Sequence, residues 1–347
     1  MSAAPARAGV LTFGEIHTGL LQNSAALSSD RVSALLDLVV GERVRRFERP
    51  IAHAVSPDQL TGVDCLLPSS SRRSTRSIGT VTSHFSVTGG HLVQGSAYTT
   101  VGPAHQHGLR LPWSHYLARP GTVEPIGRVK PLDVAEGFLE GVRTAATIDV
   151  GAISSRGIDT IQASRVLDRR RPFTSSRTVM RWAVLPAPAG SNSASFSIES
   201  KTVRTLLIHL GHGTGGPAPV QAILTLCEEL ALHDWLLTTV LTLLDRSLDA
   251  PAGRSDSTWL RLAVEFLLHL WMPGARLDPA LLPLSESLDG RAKLSEQWRT
   301  SVGRIRDHLN LRTMALLEAA RAPEGTAIPR EQATFTSARP GPPPAAA

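Results

Sequence analysis

Lysine is almost missing from this 347-residue chain. Of 36 basic residues, Lys130, Lys201 and Lys293 are the three lysines, which leaves 33 arginines. No G-x-x-x-x-G-K-[ST] occurs, so an ordinary P-loop nucleotide site is excluded on that signature. Cysteine is scarcer still. Cys65 and Cys227, one in each half, make neither a disulfide framework nor a metal cluster, and they predict a reducing, cytoplasmic setting. Long apolar runs are absent too. The longest apolar segment, 222–244, is interrupted by Glu228, Glu229, His233 and Asp234. A bilayer span needs roughly 20 nearly uninterrupted apolar residues, so this segment reads as a buried core helix. Near the start, Arg7 precedes a short apolar stretch broken by Gly14 and Glu15, which is not a secretory pattern. H-E-x-x-H and G-x-S-x-G, the zinc-peptidase and serine-hydrolase signatures, are also missing.

What remains is an ordinary globular composition, 42% apolar and 19% charged. The length allows a sizeable core and two domains. The net charge of +6 is uneven: residues 1–216 carry 23 basic and 15 acidic groups, net +8, and residues 217–347 carry 13 and 15, net −2. Arginine in place of lysine, with abundant Ala, Pro and Gly, fits a GC-rich genome, so part of the basicity is compositional.

Strand patterns fill the first part. Residues 10–18 alternate, with Leu11, Phe13 and Ile16 for a core. A helix capped by Ser29 or Asp30 runs through Val32, Leu35, Leu36 and Val39 to Gly41. Residues 44–55 read as one strand with an edge or bulge at Pro50. The clearest hairpin pairs 78–87 with 91–101 around Gly89-Gly90. Strands at 178–185, 194–199 and 202–210 follow. After a Gly/Pro-rich stretch come helices at 220–248, at 256–271 and at 289–320, the last with Leu294, Trp298, Val302, Ile305, Leu309 and Leu316 inward. The expected fold is α+β: a largely antiparallel, mixed, β-rich N-terminal part packed with a C-terminal helical bundle. The expected organisation is a tail at 1–8, an α+β domain at 9–210, a hinge at 211–219, a helical domain at 220–320, and a disordered Ala/Pro-rich tail at 321–347.

Several constellations could carry chemistry. Gly211, Gly213 and Gly216 have G-x-G-x-x-G spacing between a strand and a helix, where such glycines would let a backbone cradle a pyrophosphate. No second parallel strand follows, and Pro217 and Pro219 occupy the first helical turn, so a linker is the favoured reading. Glu15 and His17 share one face of a strand, either as an acid/base pair or as polar residues on its solvent side. His115 and Arg119 lie in the aromatic segment 111–120, a binding loop or an edge plug. His105 with His107, and His209 with His212, fall short of a zinc ligand set, and no metal or cofactor is expected. His233-Asp234-Trp235 reads as helix packing. For nucleic acid there are Arg72, Arg73 and Arg76, and the run containing Arg165, Arg169, Arg170, Arg171, Arg177 and Arg181. No nucleic-acid-binding motif accompanies them.

The stretches 13–24 (FGEIHTGLLQNS), 48–55 (ERPIAHAV), 60–65 (LTGVDC), 113–120 (WSHYLARP) and 232–239 (LHDWLLTT) together resemble an uncharacterised family of actinomycete proteins over roughly residues 10–250. That family has no established activity or catalytic residues. Its genes sit in a cluster with a variant P-loop protein and a methyltransferase-like protein, so the resemblance implies a component of a multi-protein system. The sequence therefore leads to an expected non-enzymatic accessory or scaffold role through protein partners. The alternatives are an enzyme or nucleotide-binding protein with a site between sheet and helices, using Glu15, His17, His115 and Arg119, and nucleic-acid binding through the Arg-rich run.

Overall fold

A computed structural model describes residues 11–71, 74–104, 110–187, 192–211, 220–249 and 257–321. The expected tails (all but Arg321), most of the glycine-rich stretch (Gly213 and Gly216 included), Arg72, Arg73, His105, His107 and His212 lie outside these residues.

Ten strands make one sheet: β1 (Leu11–Leu20), β2 (Arg45–Phe47), β3 (His53–Val55), β4 (Gln59–Leu66), β5 (Arg76–Thr88), β6 (Leu92–Val101), β7 (Thr122–Pro125), β8 (Thr178–Pro186), β9 (Ser193–Ile198) and β10 (Val203–Leu210). Their order is β2-β3-β5-β7-β6-β1-β8-β10-β9, with β4 on the β3 edge of β5. All pairings are antiparallel except β8 with β10 and β6 with β7. The hairpin expected around Gly89-Gly90 is β5–β6. Both glycines have positive φ, +60° and +68°, which a side chain would resist. Short β7 wedges between β5 and β6 where the hairpin splays, pairing with Gly79 on one side and Val101 on the other.

Alternation along the strands divides the side chains between two faces. On the first, Phe13, Val81, Ala97 and Ala183 meet α3 (Pro131–Leu139) and the start of α4 (Val150–Gln162). Further along it, Phe85, Val87 and Val93 meet the end of α4 and α1 (Ser29–Leu36). On the second face, Ile16, Met180, Trp182 and Leu206 are covered by Leu224, Cys227 and Ala231 of the 30-residue α5 (Val220–Asp249). Leu284 and Leu288 of α7 (Leu282–Ala292) join them. The expected α+β class, with its mostly antiparallel mixed sheet and C-terminal helices, is what the chain adopts. The boundary at 211–219 is not a boundary of packing. Sheet and α5 share one core, and the compact unit runs to Gly303, within α8 (Leu294–Arg321).

Several local expectations need correction. Residues 44–55 form two short strands paired with each other across Pro50, which has no N–H to continue a ladder. Ser28, not Ser29 or Asp30, caps α1 by accepting a hydrogen bond from the Arg31 N–H, and the helix stops at Leu36. The helix expected at 256–271 ends sooner, as α6 (Ser257–Phe266), and a 3-10 turn follows at Leu268–Leu270. The helix expected at 289–320 is divided at Lys293, whose φ of +55° ends α7 before α8 begins. Within α8 Leu294 and Trp298 are buried as expected, but Leu316 is exposed.

Helix α4 was not foreseen because Gly151 and Gly157 dilute its apolar pattern. They are there for proximity. A Cβ at 157 would stand 1.8 Å from Cζ of Phe85 in the core. Gly→Ala in an open helix gains about 1 kcal/mol; at Gly157 the sign is expected to reverse, with a net loss of about 1–3 kcal/mol from overpacking. Urea unfolding of Gly157→Ala checks this, and a raised midpoint would contradict the packing.

Candidate functional site

The charged side chains that could do chemistry are gathered into small clusters, each tying one element to another. On the first face, Glu15 and His17 do share a side of β1, and His17 Nε2 lies 2.9 Å from Glu15 Oε1. They are not on a solvent side. Both are buried, because α4 crosses above them and Gly151 has no Cβ to collide with the carboxylate, whose Oε1 lies 2.0 Å from where that Cβ would be. The other oxygen, Oε2, accepts hydrogen bonds from Arg143, between α3 and α4, and from Nε of Arg181, its cross-strand neighbour on β8, at 3.3 Å. Burial alone would raise the Glu15 pKa. The His17 hydrogen bond and the guanidiniums outweigh it, so the carboxyl stays below its ordinary range.

The second face holds a cluster that the sequence did not reveal. His84 on β5 and Ser96 on β6 converge on Glu228 of α5. His84 Nε2 is 2.6 Å from Glu228 Oε1, and the Ser96 hydroxyl donates to the same oxygen. Gln94 Nε2 bridges the Glu228 carbonyl at 3.0 Å and Thr18 Oγ1 on β1 at 3.1 Å. On its far side, His84 Nδ1 faces half-exposed Asp58 at 3.5 Å. Burial pushes the His84 pKa down, but the charge and hydrogen bond of Glu228, with Asp58 nearby, win and hold it raised to about 9. Burial likewise works to raise Glu228, and His84 and Ser96 hold it to about 2. Tyr98, partly exposed beside this cluster, is pushed up to about 12, first by burial and then by the negative charge of Asp58 and Glu228.

Three smaller sets repeat the pattern. His115 and Arg119 meet through Glu124 on β7: His115 Nε2 is 3.0 Å from Oε2, and Arg119 donates to Oε1 at 2.6 Å. Their segment is not a loop throughout, since Trp113–Leu117 form the short helix α2 and Tyr116 is fully buried. Arg204 on β10 donates to Asp234 on α5 at 2.9 Å, and Trp235 Nε1 donates to the Ser176 carbonyl. Arg276 lies against His53 (2.8 Å to Nε2), and its backbone N–H donates to Glu229. Burial, then Arg276, lowers the His53 pKa to about 3.

The remaining sequence candidates are scattered. Arg169, Arg170 and Arg171 are exposed after α4, whereas Arg177 is tied to Ser155 and Asp159. Gly211 donates its N–H to Asn192. Among the described residues, no three His, Cys, Asp or Glu side chains converge as a metal-ligand set, and no helix is long and apolar enough to cross a membrane.

Proton transfer at neutral pH works best through groups whose pKa lies near 7. His53, His84 and His233 are displaced from that range, to about 3, 9 and 4. The carboxylates Glu15 and Glu228 are held ionised by their partners. The Glu15 and Glu228 arrangements cross-link the layers, tying β1 and β8 to the segment between α3 and α4, and α5 to β5 and β6. Two signals could have exposed the second cluster. Thr80, Thr82, His84, Ser86 and Thr88 form a polar i, i+2 stripe in a strand otherwise fit for the core, and Glu228-Glu229 interrupt an apolar helix; together they call for a shared partner.

Removing one member of a buried ion pair leaves the other uncompensated, so Glu228→Ala is expected to lose about 3–5 kcal/mol in chemical denaturation. The pH dependence has two limbs. His84 is raised, so its contribution is complete below about 6.5 and is lost as pH climbs through about 9. Glu228 is lowered, so its contribution is complete above about 4.5 and is lost as pH falls through about 2. Replacing both, as His84→Gln with Glu228→Gln, is expected to flatten the alkaline limb; an unchanged decline from pH 6.5 to 9.5 would contradict it.

No protein-family model, curated protein or solved structure matches this chain.

Proposed function

We propose that this chain is a non-enzymatic accessory protein that docks a protein partner through the second half of α8. The observation that carries the reading is the exposure of that segment's apolar side chains: Leu311 69%, Met314 58%, Leu316 65% and Leu317 53%. Leu311, Met314 and Leu317, spaced three apart, stand on one side of the helix. Contiguous apolar surface of this kind marks interaction sites. Residues 304–321 also carry four arginines, Arg304, Arg306, Arg312 and Arg321, against Asp307 and Glu318. The partner that fits presents an apolar groove with an acidic rim. The closed charge clusters support the same reading, since their acid and base groups serve one another. The family resemblance supplies candidates in a cytoplasmic system, a variant P-loop protein and a methyltransferase-like protein.

The nucleic-acid reading keeps one observation. Arg165, Arg169, Arg170 and Arg171 are exposed and make no ion pair among the described residues. Electrostatic binding is strongest at low salt, so absence of DNA and RNA binding there eliminates it.

The docking reading is tested by sizing the tagged chain purified from its native host, as wild type and as Leu311→Asp with Leu317→Asp. The wild type is expected in a stoichiometric complex, and the variant alone with its unfolding midpoint kept. A wild type that runs alone, or a variant that retains the partner, would overturn it.

A further inference from the structure

Independently of the docking helix, the compact unit carries a cavity of about 700 Å³ between the segment leading into β8, the β9–β10 turn, the outer half of α5 and the first turn of α8. That volume lies in the range of small-molecule sites, roughly 300–1,000 Å³. Its lining is unusual in composition. Eight of the eighteen lining residues bear hydroxyls, and none is aromatic. A flat heteroaromatic base would find no ring to stack on, whereas a molecule rich in hydroxyls would find donors and acceptors on every side.

At its inner wall sit Arg204 and Asp234, both buried. Arg204 spends its donors on Asp234, on Thr238 Oγ1 at 3.1 Å, and on the carbonyls of Ser200 and Val203. Asp234 is left incomplete. Oδ1 accepts from Arg204, but Oδ2 is buried and has no hydrogen-bond partner among the described residues. Buried carboxylate oxygens are ordinarily satisfied, and one that is not is an acceptor awaiting a donor. Burial, only partly offset by Arg204, raises the Asp234 pKa, in keeping with that deficit. Towards the mouth, Lys201 and Arg246 stand against Asp245, and Lys201 is exposed without an ion pair among the described residues. Lys201 therefore offers the mouth a positive charge that no acidic group among the described residues takes up.

We infer that this cavity binds a small anionic polyol, a sugar phosphate or a sugar acid, with hydroxyls held by Asp234 and the surrounding threonines and the anionic group held by Lys201. The two sources share this chemistry and differ in the anion. The test is isothermal titration calorimetry on the full chain with ribose 5-phosphate, glucose 6-phosphate and gluconate, alongside ribose and inorganic phosphate. Lys201→Glu and Thr242→Trp serve as variants, because both positions are exposed and can change without disturbing the core. Saturable binding is expected for at least one of the three polyol anions, about tenfold or more tighter than for ribose or phosphate alone, and weakened about tenfold or more by each variant. A preference for the phosphates identifies a sugar phosphate, and a preference for gluconate a sugar acid. The inference is overturned if none of the three binds at about 10 mM, if inorganic phosphate binds as tightly as they do, or if both variants bind like the wild type.

Discussion

Glu228 enters the molecule on a buried face of α5 and must find a positive partner there or lose its charge. Taking a carboxylate and an imidazolium out of water costs several kcal/mol for each ion, which only close pairing and further hydrogen bonds recover. The sheet supplies both. His84 and Ser96 come from adjacent strands, Gln94 fixes the neighbouring carbonyl, and Thr18 ties Gln94 to β1. Hydrophobic contact alone would let a 30-residue apolar helix slide along the face of the sheet, because burial is non-directional. The ion pair specifies one position for it. The cover over Trp182 and Ile16, the approach of Arg204 to Asp234, and the placement of the cavity beside them all follow from that position.

The same device recurs on the opposite face, where Glu15 gathers His17, Arg143 and Arg181 and so ties β1 and β8 to the segment that joins α3 and α4. The sheet is thus held from both sides by charge placed where water is excluded. Such sites resemble active sites in residue type. A catalytic carboxylate or imidazole needs a free position for substrate and a pKa near the working pH. Here both oxygens of Glu15, and Oε1 of Glu228, are taken by protein groups.

The legible parts of the fold were those fixed locally. Gly89-Gly90 between alternating segments announces β5–β6, and the leucine spacing of α5 announces a long buried helix. Less legible were elements whose pattern is bent by what they touch. In α4 the glycines that admit Glu15 and Phe85 also erase its helical signature. In the β2–β3 region Pro50 divides what reads as one strand. Least legible were the partnerships. Glu15 with His17 was visible at a separation of two residues, although their burial was not, since burial depends on α4 more than 130 residues away. His84 and Glu228 are 144 residues apart, and nothing local in either segment names the other. Leu316 looked inward by periodicity because a repeat describes a face without saying what covers it.

The account turns on His84 being a cation at neutral pH, sealed beneath α5 against an ionised Glu228. Nitrogen-detected NMR of selectively labelled histidine, titrated from pH 6 to 10 with His84→Gln for assignment, tests this directly. The account requires both His84 ring nitrogens to carry protons at pH 7.5 and to deprotonate near pH 9. A neutral His84 tautomer at pH 7.5 in the folded protein would contradict it.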